Sequence, residues 1–246
     1  MERAARGLAR ELASQYSENT SFVIFCGKGN NGGDGLALAR LLCRRGCRVE
    51  AVIIDHSKNA SDDFKQNLDR LKETAVKVSH LSTIDSWKVP QNSAVVIDGI
   101  LGSGLDRPLQ GLILEVVEKL NSLPNAKVAV DIPTGLFADD NSDNTLEQVL
   151  KTDYTLTFQF PKLAMMHKDT APLCGSVKVI DIGLHPDFLH SAESNYHFVT
   201  RQEVKEIFKP RQKFTYKGTY GHALLLAGSK GSVGAAVMSA MASLGN

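Results

Sequence analysis

The sequence predicts an α/β fold, a doubly wound and mostly parallel sheet with helices on both faces. Three observations carry this expectation. Short, continuously apolar runs alternate with segments whose apolar residues recur every three or four positions. The runs lack the in–out alternation of a half-solvated strand, so both of their faces are expected to be buried. Several of them stop at glycine or aspartate, residues suited to turning a strand into a loop.

Taken in order, Ala4, Leu8, Leu12 and Tyr16 recur at helical spacing and predict an amphipathic helix over residues 4–16. Phe22-Val23-Ile24-Phe25-Cys26 is the first buried strand, and a glycine-rich loop over residues 27–35 follows it. Leu36, Ala37, Ala39, Leu41 and Leu42 then fit a helix packed back on the sheet. Residues 49–54 make a second strand ending at Asp55. The next helix starts near Asp62 and Asp63, whose charges suit its positive amino end, and it carries Phe64, Leu68 and Leu71. Val76 and Val78 mark a short edge strand. The unit then repeats. Residues 94–97 form a strand ending at Asp98, followed by a loop with Gly99, Gly102 and Gly104. Leu112, Ile113, Val116, Val117 and Leu120 make a helix that stops near Pro124. Residues 128–130 form a strand ending at Asp131, and residues 154–158 and 177–180 complete the set. This alternation is that of a Rossmann-like three-layer sandwich.

The composition changes after about residue 190. Residues 190–196 are polar and turn-like, Val204, Ile207 and Phe208 predict a short helix, and Pro210-Arg211-Gln212-Lys213 reads as an exposed linker. Residues 223–227 predict another apolar strand, followed by Gly228-Ser229-Lys230-Gly231 and a helix of small residues. One strand and one helix cannot bury a core alone. The expected organisation is therefore one domain over residues 1–200, then a linker and the incomplete start of another over residues 201–246.

The charge balance excludes some functions. The net charge is +1, so no strong field favours nucleic acid or an acidic membrane as a partner. No apolar run approaches the roughly 20 residues that span a bilayer. The amino end has no apolar stretch of the kind a signal peptide carries. Four cysteines, Cys26, Cys43, Cys47 and Cys174, do not make a disulfide framework, so free thiols and a cytoplasmic location are expected.

The chemistry centres on the glycine loop. Gly27-Lys28-Gly29-Asn30-Asn31-Gly32 satisfies G-x-G-x-x-G between a strand and a helix, where backbone N–H groups favour anionic oxygens. A dinucleotide-dependent oxidoreductase would use it with an acid about 20 positions on to hold a ribose hydroxyl, and Asp55 is available. Asp34 within the loop argues against that, because its carboxylate repels a pyrophosphate. Asparagines there offer carbonyls as well as donors, which suits sugar hydroxyls or a hard cation. Asp98 and Asp131 close strands, and Asp34 lies just past another strand end, so all three belong to the ligand crevice of an open parallel sheet. Each alone also fits a helix cap or turn. Together they suit a bound cation and general acid–base work. The seven histidines are scattered without zinc-binding spacing, and no G-x-S-x-G elbow occurs. His167, His185 and His190 are expected on solvated loops, and Lys162 reads equally as a surface charge or a ligand contact.

Three segments resemble, in order, the signatures of the NAD(P)H-hydrate epimerases. They are Gly27-Lys28-Gly29-Asn30-Asn31-Gly32-Gly33-Asp34-Gly35, Asp98-Gly99-Ile100-Leu101-Gly102-Ser103-Gly104-Leu105 and Asp131-Ile132-Pro133-Thr134-Gly135. Met1-Glu2-Arg3-Ala4 is similar to the family's helix before its first strand, and residues 158–162 and 177–183 to its last two strands. The resemblance implies epimerisation of the R and S forms of hydrated NADH or NADPH as nucleotide repair. It implies a substrate loop of Asn30, Asn31, Gly32, Gly33 and Asp34, and a phosphate loop of Gly102, Ser103, Gly104, Leu105, Asp106, Arg107 and Pro108. It also implies K+ held by Asn31, Asp98 and Thr134, and Asp131 as a substrate-contacting acid that we take as the acid–base group. The segment from Lys217-Gly218-Thr219-Tyr220-Gly221-His222 to Gly231 resembles the start of an ADP-dependent NAD(P)H-hydrate dehydratase. The family has a further amino-terminal segment that shapes the site and a dimer interface, and the expectation is a homodimer when it is present. No dehydratase activity is expected of these residues alone. An NAD-dependent oxidoreductase and a non-catalytic nucleotide-binding module remain as alternatives.

Overall fold

A computed structural model describes residues 1–208, 210, 212–216 and 218–244. Arg211 of the expected linker and Lys217, which heads the dehydratase-like segment, lie outside the described residues. The chain forms two compact units, Met1–Ser191 and Ala192–Asn246.

The first unit is the expected sheet. Its seven strands, β1 (Ser21–Cys26), β2 (Arg48–Ile54), β3 (Lys77–Leu81), β4 (Val95–Gly99), β5 (Lys127–Val130), β6 (Tyr154–Phe158) and β7 (Ser176–Ile180), lie in the order β3-β2-β1-β4-β5-β6-β7. Every neighbouring pair is parallel. The reversal of chain direction across the sheet falls between β1 and β4, where an open α/β sheet forms its ligand crevice.

Helices α1 (Glu2–Gln15), α2 (Asn30–Arg44) and α3 (Asp62–Leu71) bury Leu8, Leu12, Leu36, Leu38, Leu42, Phe64 and Leu71 against Phe22, Ile24, Ala51 and Ile53 on one face. Helix α4 (Gly111–Asn121) packs Ile113, Val116, Val117 and Leu120 against Phe25, Ile54 and Val96 on the other. The register explains the split. Successive β1 residues point to opposite faces, so Ile24 and Phe25 enter different cores. At about 25 cal/mol per Å2 of apolar surface, these two cores provide the dominant stabilisation of the unit.

The glycine segment departs from the expected loop. Only Gly27, Lys28 and Gly29 bridge strand to helix, and Asn30 to Gly35 already form the first turns of α2. Glycine is a poor helix former, so local propensity argues for a loop. The helix forms nonetheless, and glycine is required at position 32 because a side chain there would overlap the Gly27 carbonyl oxygen. His167 and His185 are exposed outside regular helices and strands, as expected, but the backbone of His190 belongs to helix α5 (Pro186–Ser191).

The second unit contains α6 (Arg201–Ile207) and α7 (Gly234–Leu244). Helix α6 starts with a reciprocal cap between Thr200 and Glu203. The expected strand at residues 223–227 is absent, because no described strand of this unit pairs with it and an isolated run has no ladder to satisfy its backbone. Leu224, Leu226, Met238 and Leu244 are exposed.

Candidate active site

The carboxyl ends of β1, β4, β5 and β6 bring polar side chains to one crevice. Asp98, the next-to-last residue of β4, is fully buried. Its Oδ1 accepts from the Thr134 hydroxyl (2.6 Å) and the Ile100 N–H (3.1 Å), and its Oδ2 accepts from the Thr134 N–H (2.7 Å). Burial pushes the Asp98 carboxyl up to about 6, against the pull of the Thr134 and Ile100 donors. The Thr134 hydroxyl also accepts from the Leu101 N–H at 3.0 Å. Asn31, in the first turn of α2, donates its amide N–H to the Leu101 carbonyl at 2.9 Å. Three segments distant in sequence thus meet around residue 101.

This set tests for a cation. Its donors are oxygens only: the Asp98 carboxylate, the Thr134 hydroxyl, and the Leu101 and Asn31 carbonyls. One buried carboxylate lacking a cationic side-chain partner fits a hard, singly charged ion. Among the described residues no cluster of three or more His, Cys, Asp or Glu side chains exists to hold a metal. Oxygen donors of this kind are chemically compatible with the K+ that the resemblance implies.

Asp131 follows β5 in a strained turn. Its φ is +67°, and the flanking Ile132 N–H donates back to the Val130 carbonyl at 2.9 Å. The neighbouring strand ends in the same way, with Gln159 at φ +61° and Phe160 N–H bonded to the Phe158 carbonyl at 2.7 Å. Such turns around a non-glycine residue are strained and persist only where surrounding contacts enforce them. Here the enforcing contact is Lys162, whose Nζ lies 2.7 Å from Asp131 Oδ1, with side-chain exposures of 16% and 11%. The ammonium also donates to the Thr157 hydroxyl (3.0 Å) and the Phe158 carbonyl (3.1 Å). Asp131 Oδ1 further accepts from the Phe158 N–H at 3.1 Å and the Thr157 hydroxyl at 3.3 Å. Lys162 is thus a mostly buried partner of Asp131 and not a solvated surface charge.

Asp34 lies one helical turn beyond Asn31, on the same side of α2. It is buried, and its Oδ1 has no hydrogen-bond partner among the described residues. Burial pushes its carboxyl up to about 7; Asp131 and Asp63 add to the rise and the amino terminus opposes it. Asn30 is exposed, while Gly32 packs on Gly27 and Gly33 lies under Met1. After β4, Gly102 packs on Asn31, and Ser103, Gly104, Asp106 and Arg107 are exposed, with Leu105 and Pro108 half-buried.

The other half of the crevice is closed on itself. Asp55 Oδ1 pairs with Lys28 at 2.7 Å, and Oδ2 accepts from Ser82 (3.0 Å) and lies 3.1 Å from the His80 ring. Burial acts to raise this carboxyl, but the Lys28, Ser82 and His80 contacts outweigh it and hold it below the ordinary range. The acid that an oxidoreductase would use on a ribose is therefore already engaged. A separate groove of about 540 Å3 lies against β1, β2 and β3 on the α4 face, crossed by the Lys77–Glu50 ion pair and capped by Trp87. It includes none of the crevice residues.

Residues 1–164 match the model of the family described as YjeF-related protein N-terminus. The chain belongs to that family. An NAD(P)H-hydrate epimerase of Rhodopirellula baltica is 34% identical over 190 residues, which cover 77% of this chain and 76% of that protein. A bifunctional NAD(P)H-hydrate repair enzyme Nnr of Moorella thermoacetica is 32% identical over 248 residues, 98% of this chain and 46% of that one. The chain thus spans about half the length of the bifunctional relatives it matches. The crystal structure of yeast YNL200c superposes with a TM-score of 0.59 at 20% identity, covering 89% of this chain and 86% of that one, a likeness of fold.

Proposed function

We propose that the Met1–Ser191 unit is an NAD(P)H-hydrate epimerase, interconverting the R and S forms of hydrated NADH and NADPH. The observation that carries this reading is the meeting of Asn31, Asp98 and Thr134 from separate segments, with Asp131 three residues before Thr134, in a chain similar over 190 residues to a relative of that name. The reacting carbon of the substrate bears both the ring nitrogen and a hydroxyl, so epimerisation requires proton transfer at those two atoms. In this reading the loop from Gly102 to Pro108 wraps the diphosphate, with Arg107 supplying charge, and Asn30 to Asp34 line the sugar and ring. Asp131 presents Oδ2, which takes no hydrogen bond among the described residues, while Lys162 holds the other oxygen.

Asn31, Asp98, Thr134 and the Leu101 carbonyl would hold K+. When bound, the ion supplies a fixed positive charge that offsets buried Asp98 and orders the loop after β4. We further propose a homodimer when the family's further amino-terminal segment is present, and a cytoplasmic setting, the latter in keeping with four free cysteines. No helix among the described residues is long and apolar enough to cross a membrane.

The oxidoreductase reading has less support, because Asp55 has both oxygens engaged. One assay separates the readings: add the protein to equilibrated epimers of hydrated NADH with a purified S-specific dehydratase. Full consumption supports the epimerase. Consumption of the S fraction alone leaves a binder, and oxidation of intact NADH with a carbonyl substrate identifies a dehydrogenase. Replacing K+ by Li+ should lower the epimerisation rate at least tenfold if the oxygen cluster is the ion's site.

A further inference from the structure

Epimerisation at a carbon carrying nitrogen and oxygen needs a proton donor as well as an acceptor, and the site holds two carboxyl groups in opposite surroundings. Asp131 is ion-paired with Lys162 at 2.7 Å and receives two further donors on the same oxygen, so its side chain is already placed among hydrogen-bond donors. That environment suits an acceptor and works against a donor. Among the described residues Asp34 has no cationic side-chain partner; it is 9% exposed and keeps Oδ1 unbonded on the side of α2 that carries Asn31.

Resting on the epimerase reading, we propose that Asp34 is the proton donor of the reaction and that Asp131 acts as the paired acceptor. Asp131 takes the hydroxyl proton as the bond between the carbon and the ring nitrogen breaks. The electron pair of that bond goes to nitrogen, which takes the proton of Asp34. This yields an open-chain aldehyde and an Asp34 carboxylate. Rotation presents the other face of the carbonyl, nitrogen attacks it and returns its proton to Asp34, and Asp131 returns its proton to oxygen. No atom or electron is gained or lost over the cycle. A burial-raised carboxyl near 7 is matched to giving and retaking a proton at neutral pH. The charged groups facing Asp34 are Asp131 from β5, Asp63 from α3 and the amino terminus beside α1.

The test compares the 246-residue wild type with Asp34→Asn, Asp34→Glu and Asp131→Asn, following separated epimers of hydrated NADH from pH 5 to 9. Thermal unfolding of each variant is measured alongside. We expect Asp34→Asn to fold, to keep KM within threefold and to lose at least 100-fold in kcat. The wild-type rate should fall on the alkaline side with a midpoint near 7. That limb should be missing from the residual activity of Asp34→Asn and should return in Asp34→Glu. A folded Asp34→Asn with kcat within threefold of wild type, or with its loss confined to KM, overturns the donor role. If Asp34→Asn does not fold, Asp34→Glu decides: a wild-type profile without an alkaline limb overturns the proposal. A wild type that epimerises nothing overturns the epimerase reading instead, and the donor role with it.

Discussion

The two halves of the crevice hold similar side chains and use them differently. Over β2 and β3, Asp55 has every oxygen engaged by Lys28, His80 and Ser82, and the Ser61 N–H donates to the Lys28 carbonyl at 2.9 Å, tying two loops together. At the ends of β4 and β5 and the start of α2, among the described residues, Asp98 is fully bonded but buried without a cationic side chain, Asp131 shows one open oxygen, and Asp34 is buried with an oxygen unbonded. Satisfied networks rigidify, whereas unspent hydrogen-bonding capacity is retained where a ligand supplies the missing partner. The first half therefore acts as a latch and the second as the site.

The largest expected effect comes from breaking the Asp131–Lys162 pair. Lys162→Met leaves a mostly buried carboxylate without its counter-charge and should cost about 3 kcal/mol in urea unfolding, with a loss of about 100-fold or more in epimerisation. The double variant Lys162→Met with Asp131→Asn should recover most of the stability and none of the activity. Recovery of both would mean that the pair is scaffolding alone.

Next in size is the stability effect of Asp34. Its folded carboxyl titrates near 7, above its ordinary value of 3.8, so its contribution is fully present below pH 4 and is lost as pH rises through 7. Asp34→Asn should accordingly gain on wild type by an amount on the order of 2 to 3 kcal/mol between pH 5 and pH 8. An equal shift at both values would show that Asp34 is already ionised at pH 5 in the folded protein, as an ordinary carboxylate is, erasing the contrast between the crevice halves. The smallest effect is expected at the latch. Lys28→Met should cost about 1 kcal/mol and change kcat less than threefold, since neither group of the pair is assigned to the reacting atoms. A large loss of kcat there would move the site toward β2.

Much of this was readable from residue order. Ile97-Asp98 and Val130-Asp131 announce buried strands ending in acids, and strand order then delivers those acids to one crevice. The extent of α2 was hidden, because Asn30 to Gly35 are weak helix formers by local propensity, and the close approach of Gly27 that requires glycine at position 32 is visible only in the fold. Lys162 was equally opaque. It meets Asp131 only because β5 and β6 are neighbours, and nothing near either residue announces a partner 31 positions away. Residues 223–227 mislead in the opposite sense, since an apolar run becomes a strand only beside another strand.

Apolar periodicity and turn chemistry along the chain determined the α/β class and the seven strands of the sheet, because these follow from local spacing and burial of each segment. Which carboxylate is paired and which is left unbonded could not be read that way. That distinction arises from desolvation and contacts between residues far apart in sequence, and it divides Asp131 from Asp34, and the working half of the crevice from its latch.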